Sequence, residues 1–340
     1  MKAGGNATIN ARPAATMNRR LTKPIFIVGL PRTGSKLLMN MINNNRAADC
    51  YIANEVQFFG HSTLGRILQG RRGVMPIIDG ATNEDGKVDW GRVVDELYSG
   101  KARGVHWNGL SAGWLKIPRN KLLETLSGTD GTPKSIYEAI LITQEKEYSA
   151  YGDKSGPNLY FVDKLVQYFP DAKILHIIRD PRAIVTSQHK RLLSILQHKS
   201  RSSPAVTRIK QALLGPIVVL YILTYWGYAV RIDRRLSKTH PDNYMLVRFE
   251  DLVSAPEETT KKICGFLSIP WDEGMTSPPK RDSSYIDPCD VRKSADRGTG
   301  MDREAMERWR NHIKPWIKVA VKVYGSVFYP AALKRFRYSG

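Results

Sequence analysis

Four short apolar runs stand out against helical periods elsewhere in the chain. Ile25 to Val28, after Pro24, holds no polar residue, as expected of a strand buried on both faces of a parallel sheet. Cys50 to Ala53, the run "KILHII" from Lys173 to Ile178, and the start of "YMLVRFEDL" have the same character. Between them the period lengthens. Leu37, Leu38, Met41 and Ile42 share one helical face that stops at Asn43-Asn44-Asn45, and Pro181 suits the first turn of a helix leaving Ile178. "LYFVD", ending at Asp163, has the look of another strand with a terminal aspartate. However, Leu159, Val162, Leu165 and Val166 mark one helical face closed by Phe169-Pro170-Asp171, and helix is the better match. Strands alternating with helices predict an α/β fold: a doubly wound parallel β-sheet of about five strands flanked by helices.

One apolar stretch is longer. Gln211 to Val230 carries no charge and nears the roughly 20 residues that cross a bilayer. Gly215, Pro216 and Gly227 interrupt it, and Tyr221, Tyr225 and Tyr228 spread hydroxyls along it. The pattern reads as a core helix, with a helix lying on a membrane surface between flanking arginines and lysines as the alternative. Residues 1–22 read as a disordered basic tail, 23–330 as one domain with a variable helical insertion over 60–150, and 331–340 as a C-terminal tail.

Length and composition are those of a soluble domain: 340 residues, 42% apolar and 25% charged. Charge changes the picture, because 52 Lys and Arg against 32 Asp and Glu leave +20. A surplus of that size favours anionic partners. Cys50, Cys264 and Cys289 are scattered with no C-x-x-C pair, which argues against a disulfide scaffold or structural zinc and for a reducing, cytoplasmic setting.

The candidate chemistry begins in "VGLPRTGSKLL". Gly29 and Gly34 have the spacing of the nucleotide phosphate loop G-x-x-x-x-G-K-[ST], yet Ser35, Lys36 and Leu37 follow, so the lysine is one place late and no hydroxyl comes after it. A strand, a glycine turn and a helix N-terminus still make an anion site from unpaired N–H groups. Arg179 stands at the end of the Lys173–Ile178 run, where open α/β sheets bind ligands, and Ser187 lies two turns into the following helix.

Four blocks, in order, resemble the sulfotransferases that use 3'-phosphoadenosine 5'-phosphosulfate (PAPS). They are "PIFIVGLPRTGSKLL", "GDKSGPNLYFVDKLVQYFPDAKILHIIRDPRAIVTS", "YMLVRFEDLVSAPEETTKKICGFLSIPWD", and "RKSADRGTG" with "RWRNHIKPW". The resemblance implies that Arg32, Thr33, Gly34, Ser35, Lys36 and Leu37 surround the 5'-phosphosulfate. It implies that Arg179 and Ser187 bind the 3'-phosphate, and that Arg292, Lys293, Arg297 and Gly298 close over it. Lys154 in "GDKSGP" matches a lysine that approaches the transferred group, although Gly156 separates Ser155 from Pro157 where the family runs Lys-Ser/Thr-Pro. Lys36 stands where a second hydroxyl is usual, either as a point charge or facing solvent. Sulfur-bound oxygens share less negative charge than phosphate oxygens, so no metal is expected, and 3'-phosphoadenosine 5'-phosphate (PAP) would be the product.

The acceptor must lose a proton, so a base is needed. Glu55, 23 positions past Arg32, is the first candidate and His106 in "GVHWNGL" its rival; His176, inside a strand, reads as a core residue. The acceptor is a small molecule, glycan or lipid, and the insertion over 60–150 is expected to supply part of its site, with Arg66, Arg71, Arg72, Trp90, Trp107 and Trp114 as candidates, the tryptophans reading equally as core residues. Two other classes remain: a divergent phosphate-loop kinase or nucleotide hydrolase using Mg-ATP, and a nucleic-acid binder suggested by charge alone.

Overall fold

The computed structural model describes residues 23–60, 73–98, 118–143, 148–199, 204–278, 301 and 303–338. The four apolar runs are strands: β1 (Ile25–Gly29), β2 (Cys50–Asn54), β4 (Lys173–Ile178) and β5 (Tyr244–Arg248). A fifth, β3 (Ala150–Lys154, AYGDK), lies between β2 and β1. All pairings are parallel, in the order β2-β3-β1-β4-β5. The helices are α1 (Ser35–Asn43), α2 (Val74–Gly80), α3 (Trp90–Tyr98), α4 (Arg119–Ser127), α5 (Pro133–Ile142), α6 (Val162–Tyr168), α7 (Pro181–Lys199), α8 (Pro204–Thr239), α9 (Phe249–Ser254), α10 (Pro256–Leu267), α11 (Pro315–Phe328) and α12 (Pro330–Arg335).

Strand alternation sorts the core into two layers. Phe26 and Val28 of β1 face helices α2 to α8, α11 and α12. Ile25 and Ile27 face α1 and α10, where Leu38, Met41, Ile42, Ile263 and Leu267 are buried. The helix after β1 and the helix joining β3 to β4 therefore cover opposite faces. That opens a crevice at the carboxyl ends of the central strands, the position where such sheets take ligands. Cys50 and Cys264 sit in the second layer as free thiols. Burial pushes them up to about 12 and about 11, so they are packing residues.

"LYFVD" is helical, as its period suggested: a 3-10 turn over Gly156–Phe161 leads into α6. Asp163 is exposed and pairs with Arg235 at 2.6 Å, away from the strand ends. His176 is buried at the centre of β4, where its Nδ1 meets the Tyr244 hydroxyl at 2.7 Å.

Two expectations need correction. Residues 331–338 are not a tail: Phe336 and Tyr338 are buried, Arg335 pairs with buried Asp233 at 2.6 Å, and the Tyr338 hydroxyl donates to Glu250 at 2.9 Å. Aromatic burial at this end outweighs the cost of ordering it. Nor do Gly215 and Pro216 break the apolar stretch, since α8 runs unbroken through them. Proline removes the bond to the carbonyl four residues back, at a turn where Ala212 and Pro216 are both exposed to solvent. One face of α8 is core, through Val219, Ile222, Leu223, Trp226 and Ala229, while Leu213, Ile217 and Leu220 on the other are exposed. The expected tail 1–22 lies outside the described residues.

Candidate active site

The loop Gly29–Gly34 turns β1 into α1. Thr33 is buried, and its hydroxyl donates to the Leu30 carbonyl at 2.7 Å, which closes the turn. Gly34 caps α1 at φ 93°, a left-handed conformation suited to glycine, and a Cβ there would lie 2.3 Å from the Phe249 ring. No side chain caps this N-terminus and no carboxylate lies in the first turn. Ser35, Lys36 and Leu37 thus present their first-turn N–H groups at the crevice, which favours an anion. The Leu37 side chain itself packs against the second core layer.

Two arginines crowd the same spot. Arg32, exposed and at φ 75°, donates from Nε to the Ser187 hydroxyl of α7 at 2.9 Å. Arg179, next after β4, donates from Nη1 to the Arg32 carbonyl at 3.2 Å and lies over the Phe249 ring, its guanidinium carbon 4.0 Å from the centroid. Burial pulls the Arg179 guanidinium below its ordinary range; Glu250 opposes that and the Arg32 charge adds to it. The residues expected at the two phosphates are therefore in contact through Arg32. Two cations beside an uncapped helix N-terminus fit a ligand with two separated phosphate groups.

The second half of the site is one and two strands away. β3 ends at Lys154 in register with Ile27 of β1 and with Asn54 of β2, which places Glu55 beside it. Lys154 Nζ meets Glu55 Oε1 at 2.9 Å, with the lysine side chain 4% exposed and the glutamate 42%. Gln57 Nε2 donates to the other Glu55 oxygen at 3.0 Å. The backbone is tied as well: Glu55 N–H donates to the Lys154 carbonyl at 2.8 Å and Gln57 N–H to the Ser155 hydroxyl at 2.9 Å. Gly156 is explained by close approach, because a Cβ there would lie 2.9 Å from the Gly29 carbonyl oxygen.

Beneath this pair sits a buried carboxylate that sequence reading missed. Asp153 is wholly buried in β3. Its Oδ1 accepts from Val56 N–H (3.1 Å) and the Ser155 hydroxyl (2.9 Å), and its Oδ2 from the Tyr137 hydroxyl (2.6 Å) and Asn158 Nδ2 (3.0 Å). Burial raises its pKa, while Tyr137, Ser155, Val56 and the Lys154 charge oppose the rise. Four donors on two oxygens are the donor set of a carboxylate.

Between the two halves a narrow recess, with room for about one water, is lined by Gly29–Pro31, Gly156, Pro157, Leu159, Tyr160 and Tyr225. The Tyr160 and Tyr225 rings lie 4.3 Å apart, with Tyr221 and Tyr228 continuing the cluster. The i, i+4, i+7 spacing of Tyr221, Tyr225 and Tyr228 was the one available signal for this wall.

A sequence model of the sulfotransferase family matches residues 24–273. The chain belongs to that family. It is 26% identical over 175 residues to protein-tyrosine sulfotransferase of Drosophila melanogaster, covering 49% of this chain and 31% of the relative. It is also 26% identical over 167 residues to protein-tyrosine sulfotransferase 1 of Danio rerio, covering 48% and 42%. The chain thus spans less than half the length of these curated relatives. In fold it is similar to the sulfotransferase domain from the curacin biosynthetic pathway (TM-score 0.53, 17% identity, 91% of this chain and 98% of that one). It is likewise similar to the sulfotransferase domain of the Synechococcus PCC 7002 olefin synthase (TM-score 0.51, 19% identity, 92% and 97%). The family implies PAPS as donor, and the strand-end arrangement fits it. Of the residues expected in this sulfotransferase-family site, Arg32, Thr33, Gly34, Ser35, Lys36, Glu55, Lys154, Arg179 and Ser187 line one edge of the sheet, with Leu37 turned into the core. His106, Arg292, Lys293, Arg297 and Gly298 lie outside the described residues, as do Arg66, Arg71, Arg72, Trp107 and Trp114. Trp90, half-buried at the start of α3, packs against the first core layer.

Proposed function

We propose that the protein transfers a sulfuryl group from PAPS to an acceptor hydroxyl or amine, with Glu55 as general base. The observation that carries this reading is the 2.9 Å Lys154–Glu55 pair, held on adjacent strand ends beside an uncapped phosphate-loop helix. Arg179, Ser187 and the α1 amides would bind the two phosphate ends, leaving the sulfuryl group between Arg32 and Lys154. Glu55 takes the acceptor proton as the acceptor lone pair forms the new bond to sulfur. The bond from sulfur to the 5'-phosphate oxygen breaks in line, and its electron pair leaves with that phosphate. Lys154 is buried, so its charge acts strongly on the departing oxygen. Protonating Glu55 also weakens its hold on Lys154 in the step that creates the new phosphate charge.

The chemistry then needs alignment and cations rather than a metal, which makes turnover insensitive to chelators. The cluster of Tyr160, Tyr221, Tyr225 and Tyr228 beside the loop suits an acceptor with a ring, aromatic or sugar; small molecules and glycans answer to this, as does a glycolipid headgroup. The same reading keeps the protein in a reducing, cytoplasmic compartment, with its two described thiols free and packed.

Thermal unfolding tests the donor. PAP should raise the midpoint by several degrees without magnesium, while AMP and ATP do little. A rise confined to ATP with magnesium would return the loop to the kinases. Glu55→Gln should cut turnover by about 10²–10⁴-fold with the PAP-induced shift unchanged. Retained turnover would move the base elsewhere, with His106 next in line.

A further inference from the structure

We propose that α8 and α11 together form a face that docks on anionic lipid bilayers. Among the described residues, every large hydrophobic side chain that stands exposed lies on these two helices or beside their ends. On α8 they are Ile209, Leu213, Leu214, Ile217 and Leu220; on α11 they are Trp316, Val319, Val323, Val327 and Phe328. The spacing 209, 213, 217, 220 makes one stripe along α8, and 316, 319, 323, 327 makes another along α11. The two helices are neighbours: Trp316 lies within van der Waals reach of a Cβ at Gly215, and Tyr329 closes on Gly227. Scattered apolar residues on a surface are ordinary, but an exposed apolar stripe on each of two neighbouring helices marks something that covers it.

Charge selects what covers it. Residues 181–232 contain eight Lys or Arg and no Asp or Glu, and residues 308–340 another eight, although Arg182, Arg308, Arg310 and Arg335 pair with Asp180, Glu304, Glu307 and Asp233 just outside these spans. Lys314, Lys318 and Lys322 are exposed along α11 beside the apolar stripe. A second copy of the chain would bring two such faces together within molecules of charge +20, so self-association is opposed. An anionic headgroup layer over hydrocarbon meets both features: it takes the lysines at its surface and the valines, leucines and Trp316 beneath it. Spanning is excluded for α8 in this fold. The segment Ala212–Thr239 is long and apolar enough by composition, at mean hydropathy 1.7, but its other face is packed into the protein core through Trp226 and Ala229. This inference stands apart from the sulfuryl-transfer reading, since none of the apolar residues or α11 lysines named here belongs to the strand-end site.

The test is co-sedimentation with vesicles of phosphatidylcholine alone and of phosphatidylcholine with 30% phosphatidylglycerol, together with sedimentation equilibrium without lipid. The full chain should pellet with the anionic vesicles, and raised salt should weaken that. Brominated acyl chains should quench tryptophan emission, and Trp316→Phe should remove most of the quenching. Leu213→Gln combined with Val323→Gln should reduce partitioning by about tenfold or more, with the PAP-induced thermal shift intact as evidence of folding. Absence of the wild-type chain from both vesicle pellets would overturn the proposal. So would a wild-type dimer that the same double variant turns into a monomer, which would assign the face to self-association.

Discussion

Replacing Asp153 by Asn probes how the site is held. In the wild type Oδ1 satisfies Val56 N–H and Ser155, while Oδ2 satisfies Tyr137 and Asn158. An asparagine can keep an oxygen on the first side only by pointing its NH₂ at Tyr137 and Asn158. The Tyr137 oxygen already receives Asn158 Nδ2 at 3.1 Å, so one or two buried donors lose their acceptor. At about 1–3 kcal/mol for each unsatisfied group, Asp153→Asn should cost roughly 2–5 kcal/mol. Asp153→Ala strands Val56 N–H, Ser155 and Tyr137 and leaves Asn158 only the Tyr137 oxygen. At about 1–3 kcal/mol each it should cost roughly 3–9 kcal/mol, a large share of the about 5–15 kcal/mol of a domain of this kind. Tyr137→Phe, which leaves Oδ2 paired with Asn158, should cost about 1 kcal/mol.

Urea unfolding supplies the order Ala, Asn, Phe. Turnover supplies the functional half: Val56 and Ser155 are the links that hold the Glu55–Gln57 segment against Lys154. Asp153→Asn should therefore lower kcat while PAP stabilisation, which depends on β1 and β4, persists. A variant that loses less than about 1 kcal/mol and turns over like wild type would refute the argument that Asp153 positions the pair.

Three further outcomes follow from single contacts. Gly34→Ala places a methyl group against Phe249 at a positive φ, and Phe249 is also the ring beneath Arg179, so it should cost about 1–3 kcal/mol and abolish the PAP-induced shift. Tyr160→Ala should raise the acceptor KM severalfold with a smaller effect on PAP stabilisation, because Tyr160 faces the start of the Gly29–Gly34 loop across the recess and not the α1 amides or Arg179. His176 is held near a pKa of about 3 by burial, against an ordinary 6.5. The unfolded chain binds a proton below 6.5 that the native state refuses, so stability is full above 6.5 and is lost as pH falls from there toward 3. The loss is at most about 5 kcal/mol, and His176→Phe should flatten that part of the denaturation profile against pH.

Which parts of this molecule could be read from its sequence has a physical pattern. β1, β2, β4 and β5 announced themselves because parallel strands buried on both faces leave continuous apolar runs. β3 did not: AYGDK carries an aspartate where a core residue belongs, and its burial rests on Tyr137, Ser155 and Asn158, no two of them adjacent in the chain. Lys154 and Glu55 were named from motif and spacing, but their pairing required knowing that β3 inserts between β2 and β1. Arg179 and Ser187 were readable because they share one strand-helix unit, whereas the contact of Arg32 with Ser187 spans 155 residues. The C-terminal end looked like a tail because Phe336 and Tyr338 stand among Lys and Arg, with too few apolar neighbours to show a period.

Backbone strain gives an independent view of the same edge of the sheet. Among the described residues, five other than glycine have positive φ: Arg32, Glu55, Gln57, Ser268 and Arg337. Ser268 is the left-handed C-cap of α10, and Arg337 follows α12 with its N–H returning to Lys334; helix endings explain both. Arg32, Glu55 and Gln57 cap no helix. Each follows a strand end, at a cost of order 1–3 kcal/mol, and persists only because its surroundings fix it. For Glu55 those surroundings are the Lys154 carbonyl and ammonium, and for Gln57 the Ser155 hydroxyl, itself bonded to Asp153. An extended backbone at residues 55 and 57 would relieve the strain and carry the Glu55 carboxylate away from Lys154. The buried Asp153 network is what makes the strained arrangement the stable one, so the free energy spent beneath the site is spent on where one carboxylate points.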